Sequence, residues 1–169
     1  MTKYIPERVR EQLSLALTSG IIDFSNSLLA EIPEHVLENE LVYVTQLLFA
    51  GNRLNELTSS ITLLPALQVL DLTGNRLQFL PSSVGSLTAL RTLRLGGNPL
   101  KELPRTLGSL ENVLQDLIFD RDGIKWPFTS QVVNGKTADL LRLLSTFHRG
   151  EKDHVRPQPV CVALDLNSW

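Results

Sequence analysis

The sequence predicts an α/β fold: a short solenoid of about five coils, with one parallel sheet along its length and a helix closing each end. Two observations carry this. The stretches LQVLDLTGNRLQFLP from Leu67 and LRTLRLGGNPLKELP from Leu90 repeat the same apolar, asparagine and proline slots 23 residues apart. Outside the repeats, the apolar spacing changes from two to about 3.6 residues, the helical period. An internal repeat of this length is the mark of stacked supersecondary units.

The repeating template reads L-x-x-L-x-L-x-x-N-x-L-x-x-L-P. Stepping back 23 residues from Leu67 reaches Val44, with Leu47, Phe49, Asn52, Leu54 and Leu57 in register. Two weaker copies flank these three. In IIDFSNSLLAEIP, Ile22, Phe24, Leu29, Ile32 and Pro33 fill the slots and Ser27 replaces asparagine. In LQDLIFDRDGIKWP, Leu117, Phe119 and Ile124 fit, Asp122 takes the asparagine slot, and the proline comes one residue early.

Each slot has a physical reason. L-x-L has period two, so it reads as a short strand with its leucines inward. Strands of successive coils then pair in parallel about 4.8 Å apart. Ser27, Asn52, Asn75, Asn98 and Asp122 are expected to stack as a ladder. An interior asparagine has two donors and an acceptor with which to satisfy backbone groups where the chain leaves the strand. Later leucines, Leu77, Leu80 and Leu87 in one coil and Leu100, Leu103 and Leu110 in the next, close the core from the far side. No coil buries its own face, so stability comes from its neighbours.

These residues resemble the leucine-rich repeat family, in its intracellular, 23-residue (Ras-group-like) class, over roughly residues 19–128. The resemblance implies a curved solenoid with a parallel concave sheet and with loops or short helical turns on the convex side. It also implies capping segments. PERVREQLSLALTSG reads as an N-terminal cap helix over 5–19. Pro6 suits its first turn, Val9, Leu13, Ala16 and Leu17 form its apolar stripe, and Gly20 stops it. WPFTSQVVNGKTADLLRLL resembles the family's C-terminal cap, over 129–148, with Leu140, Leu141, Leu144 and Phe147 on one face of its helix. The expected organisation is therefore one domain over 1–148. A tail, 149–169, follows a charged, proline-containing linker. In it Val160, Val162, Leu164 and Leu166 alternate with Cys161, Ala163 and Asp165, a half-buried strand pattern. That tail either folds back on the body or is offered to another protein as a linear motif by strand addition.

Composition excludes several function classes. Of 169 residues 43% are hydrophobic, the net charge is −2 and the pI about 5.9. The mean hydropathy is +0.03. This is a globular composition without the basic footprint of a nucleic-acid binder. No apolar run approaches the roughly 20 residues of a membrane span. The charged N-terminal stretch MTKYIPERVREQ does not read as a secretory signal. One cysteine precludes an internal disulfide, and no Asn-x-Ser/Thr sequon occurs. Both favour a reducing, cytoplasmic setting.

No reaction chemistry emerges. NGKT at 134–137 suggests a phosphate loop, but Ser130 stands where the pattern needs its first glycine. His35, His148 and His154 are scattered and set no metal-ligand spacing. Cys161 has no neighbouring base to activate it. Asp120 and Asp122 of DRDG lack the rest of an EF-hand loop. The sequence thus predicts no catalytic residue, no metal and no cofactor.

The outward strand positions remain. Asp23, Gln46, Leu48, Val69, Asp71, Thr92, Arg94, Asp116 and Ile118 are the candidate protein-binding residues. Leu48, Val69 and Ile118 are apolar and nothing in the chain obviously covers them. Asp71 and Arg94 are expected to lie adjacent across strands. An apolar centre with a charged edge suits a protein partner better than a sugar or nucleic acid, which would want aromatic or basic residues. The function expected is a non-enzymatic interaction module, a small cytosolic adaptor or scaffold in signal transduction, acting as a monomer or in a hetero-complex. A structural subunit of a larger assembly is the alternative. A regulator of a small GTPase or phosphatase is suggested only by the family resemblance.

Overall fold

The computed structural model describes residues 7–33, 42–120, 124 and 137–148. Helix α1 (Glu7–Ser19) leads into strand β1 (Ile21–Asp23). Strands β2 (Gln46–Leu48), β3 (Val69–Asp71), β4 (Thr92–Arg94) and β5 (Asp116–Ile118) follow, and helix α2 (Thr137–His148) ends the described chain. The five strands form one sheet in the order β1-β2-β3-β4-β5, every pair parallel and in register. Strand starts at 21, 46, 69, 92 and 116 are 25, 23, 23 and 24 residues apart. The two end coils are the longer ones, and the exact 23-residue step belongs to the middle.

Strand, turn and return segment each follow from the repeat. The central residues of the strands, Ile22, Leu47, Leu70, Leu93 and Leu117, are buried, as are Phe24, Phe49, Leu72 and Leu95 two positions on. Phe24 and Phe49 stack with ring centroids 5.6 Å apart. The return path on the opposite side runs through 3-10 segments at Ser59–Leu63, Ser82–Ser86 and Arg105–Leu110, which bury Ile61, Val84, Leu107 and Leu110. These tight segments suit coils only 23 residues long, because each must return beside its neighbour within a few residues.

The turn off each of the first four strands uses a left-handed residue. Gly51, Gly74 and Gly97 hold φ of 66 to 70°, and Asn26 takes the same place in the first coil with φ 54°. Glycine adopts this conformation without steric cost, and asparagine is among the few side chains that tolerate it.

Immediately after that turn stands the asparagine ladder. Asn52, Asn75 and Asn98 are buried. Asn75 Nδ2 donates to the carbonyls of Phe49 and Leu72, both at 2.9 Å, and its Oδ1 accepts from the Leu54 N–H at 3.1 Å. Asn98 repeats this with Leu72, Leu95 and the Leu77 N–H. Asn52 does so with Phe24 and Phe49, and its Oδ1 accepts from Ser27 and Leu29. Each amide therefore ties its own coil to the preceding one. Ser27 starts the ladder through its main chain, while its hydroxyl turns to the Ser25 carbonyl at 3.2 Å. At Leu100 the N–H donates to the Asn98 carbonyl at 2.8 Å.

The ends are closed by helices, with one correction. On α1, Val9 and Ala16 are buried and Leu13 packs against the core, but Leu17 is 67% exposed. Leu17 lies about 100° around the helix from Ala16, and the face toward β1 is taken by Val9, Gln12, Leu13 and Ala16. On α2, Leu140, Leu141 and Leu144 are buried, together with Ser145, whose hydroxyl donates to the Glu111 carboxylate at 2.8 Å. Phe147 is half-buried beneath Arg105, whose guanidinium carbon lies 5.7 Å from the ring centroid. Gly108 admits the close approach of α2: a Cβ there would land on the backbone of Leu144 and Ser145. Gly85, one repeat earlier, likewise lies against the Thr106 carbonyl. Pro6, His35, Asp122, the 129–136 part of the C-terminal cap, His154, Cys161 and the alternating tail segment lie outside the described residues.

Candidate functional site

The parallel register builds the candidate surface. Pairing aligns Ile21, Gln46, Val69, Thr92 and Asp116 in one row, and Asp23, Leu48, Asp71, Arg94 and Ile118 in a second. Side chains flanking a buried central residue point to the opposite face of a strand. The nine candidate residues therefore share one sheet face, the two rows two positions apart along the strands.

Its centre and ends differ. Gln46, Leu48, Val69, Asp71 and Thr92 are half-buried by their neighbours, whereas Asp23, Arg94, Asp116 and Ile118 are exposed, Ile118 at 53%. Arg94 Nη1 and Asp71 Oδ2 are 3.3 Å apart across β3 and β4. Asp71 also accepts from the Thr73 N–H at 3.0 Å, and Asp23 accepts from the Ser25 N–H at 2.8 Å. These bonds fix the carboxylates over the turns. Thr92 Oγ1 lies 3.5 Å from Asp116 Oδ2, a long contact.

Two features were not foreseen. Asp120 receives the Gly97 N–H at 2.6 Å. In earlier coils the matching N–H groups of Gly51 and Gly74 go to the carbonyls of Thr73 and Gly96, so a carboxylate stands in for a main-chain acceptor at the last coil. The outer edge of the sheet is also sealed. Gln12 Oε1 accepts from the Asp23 N–H at 3.0 Å and Ser19 Oγ from the Ile21 N–H at 3.1 Å. At the other end Thr137 Oγ1 accepts from the Leu117 N–H at a long 3.4 Å. Sequence offered no signal for these edge contacts, since a helical glutamine or serine has no period tying it to a strand.

Elsewhere, a recess of about 380 Å³ on the flank is lined by Asn55, Glu56, Leu57, Gln78, Phe79, Leu80 and Pro81. Lys101 Nζ sits 5.4 Å from the Phe79 ring centroid beside it. Among the described residues, no group of three or more His, Cys, Asp or Glu is placed to hold a metal ion, and no helix is long and apolar enough to cross a membrane.

Comparison with known proteins agrees with the geometry. A leucine rich repeat family model matches residues 42–100, the stretch that holds β2, β3, β4 and the three ladder asparagines. Residues 42–100 are leucine-rich repeats. Among solved structures it is similar to a leucine-rich repeat protein of Leptospira interrogans, with 27% identity and a TM-score of 0.51. That match covers 64% of this chain and 34% of the other, so the chain spans about a third of that protein's length. It is also similar to the leucine-rich repeat ectodomain of a plant membrane receptor kinase from Arabidopsis thaliana, solved in complex with Casparian strip integrity factor 2. There the identity is 30%, the TM-score 0.43, and the coverage 53% of this chain and 11% of that one. A search of curated proteins finds no match. Leucine-rich repeats generally serve as protein-interaction scaffolds.

Proposed function

We propose that this leucine-rich repeat protein is a small cytoplasmic adaptor of the intracellular class. It binds a protein or peptide on the concave face of its sheet, and a single repeat domain over 1–148 carries that face. The observation that supports this most is the half-buried and exposed apolar set Leu48, Val69 and Ile118, held on a face whose every central strand residue points the other way. Five strands span roughly 4 × 4.8, or about 19 Å. A surface of that width takes a helix, a short peptide or one edge of a domain. The function requires no catalysis and no cofactor.

The test is affinity capture from cells with the wild-type chain and with Leu48→Ser/Ile118→Ser, read by quantitative mass spectrometry. These truncations remove apolar contact without changing charge. Partners held by the concave face are lost from the double variant and kept by a convex-side control, Ser82→Glu. Equal capture by wild type and the concave variant moves the site elsewhere.

A second reading has its own observation. Leu15, Leu17 and Leu28 are 52, 67 and 66% exposed near the N-terminal end of the stack. Exposed leucines at a solenoid's end suit a structural subunit whose cap is buried in a larger complex. Light scattering of the natively purified species distinguishes a free monomer from such a subunit.

A further inference from the structure

We infer that the occupant of the concave face is an amphipathic helix with cationic side chains near both ends and an apolar stripe between them. This inference rests on the concave-binding reading and specifies its partner. The support is how charge is distributed along the sheet. Asp23 stands on β1 at one end, and Asp116 on β5 with Asp120 just after it at the other. Among the described residues none of these three carboxylates pairs with a cation. Between them the face is electrically neutral: Leu48 and Val69 are aliphatic, and Asp71 is matched by Arg94 at 3.3 Å. Arg94 is the one cation among the candidate face residues, and it is already engaged.

A partner that fits this pattern crosses the strands instead of running along them. The two acidic poles lie about 19 Å apart, four strand spacings. A helix covers that distance in about 13 residues at 1.5 Å each. Its cations then meet Asp23 at one pole and Asp116 and Asp120 at the other, while its apolar side chains rest on Leu48, Val69 and Ile118. Strand addition is the less suited mode, because Gln12 and Ser19 occupy the outward N–H groups of β1.

The test uses three fluorescently labelled 14-residue peptides with a common leucine stripe: lysines at both ends, glutamates at both ends, or lysines only in the middle. Binding to the full chain is measured by anisotropy. The lysine-ended peptide is expected to bind best and to weaken as salt rises, because exposed charges are screened. Asp23→Asn/Asp116→Asn is expected to weaken it roughly two- to thirtyfold, the range of two exposed ion pairs. Asparagine keeps an acceptor oxygen for Ser25 and Thr92, so folding is preserved, and matching thermal melts verify it. Arg94→Gln is expected to leave that peptide bound at least as tightly. No measurable binding of the lysine-ended peptide, equal binding of the glutamate-ended one, or an Asp→Asn variant with unchanged affinity overturns the inference. In each of those cases the Leu48→Ser/Ile118→Ser capture experiment still decides the concave site independently.

Discussion

The side-chain amide of Asn75 donates to the main-chain carbonyl of Phe49, one coil earlier, at 2.9 Å. The same nitrogen serves Leu72 in its own coil, and the oxygen serves Leu54. One side chain thus satisfies main-chain groups in two successive coils, in a place where water does not reach. Asn75→Ala is expected to cost about 1–3 kcal/mol, because the buried carbonyls and N–H lose their partner. Chemical denaturation measures it, and a variant as stable as wild type would remove the ladder from the account of stability.

Gly108→Ala is expected to destabilise by about 1–3 kcal/mol, because its methyl meets the backbone of Leu144 and Ser145 and must push α2 away. Gly96→Ala is the control. There the nearest atom to the new methyl is Asp120 Oδ1 at 3.9 Å, ordinary contact. Alanine also restricts the unfolded chain, so that variant is expected to equal or exceed wild type by up to about 1 kcal/mol. Both are read from urea midpoints, and a harmless Gly108→Ala would mean that α2 does not dock as described.

Gln12→Leu with Ser19→Ala unseals β1 by leaving the N–H groups of Asp23 and Ile21 without their side-chain acceptors. An open strand edge pairs with other chains. The variant is expected to self-associate with rising concentration in light scattering, and a mass identical to wild type across the same range would show that the edge was never at risk.

On α1, Leu17→Lys is expected to change stability by no more than about 0.5 kcal/mol, as surface substitutions do. Ala16→Lys, one residue earlier, buries a charge beside the first coil and is expected to unfold the cap. Thermal melts followed by circular dichroism compare the two. A large loss from Leu17→Lys would place that leucine against something inside the chain.

The repeat alone makes most of the fold legible. Leu47, Leu70 and Leu93 recur at fixed spacing, and a spacing of 23 has a single geometric meaning: coils of equal length stacked in register. The candidate rows followed, because Gln46, Val69 and Thr92 precede those leucines and Leu48, Asp71 and Arg94 follow them. The cap was less legible. Leu17 matched the apolar stripe by spacing alone, but a helix of 13 residues presents only one narrow face to a small first coil, and Gln12 took part of it.

What the sequence determined by itself is the coil: its length, its inward leucines, its turn asparagines and which strand residues look outward, all set by local periodicity repeated three times. What only the tertiary structure decided is how the series ends. Gln12 and Ser19 seal β1, Asp120 replaces a missing carbonyl for Gly97, and Gly108 admits α2. These contacts join residues from different elements with no shared period. They arise because the end coils lack a neighbour on one side, and their exposed main-chain groups and leucines must find other partners.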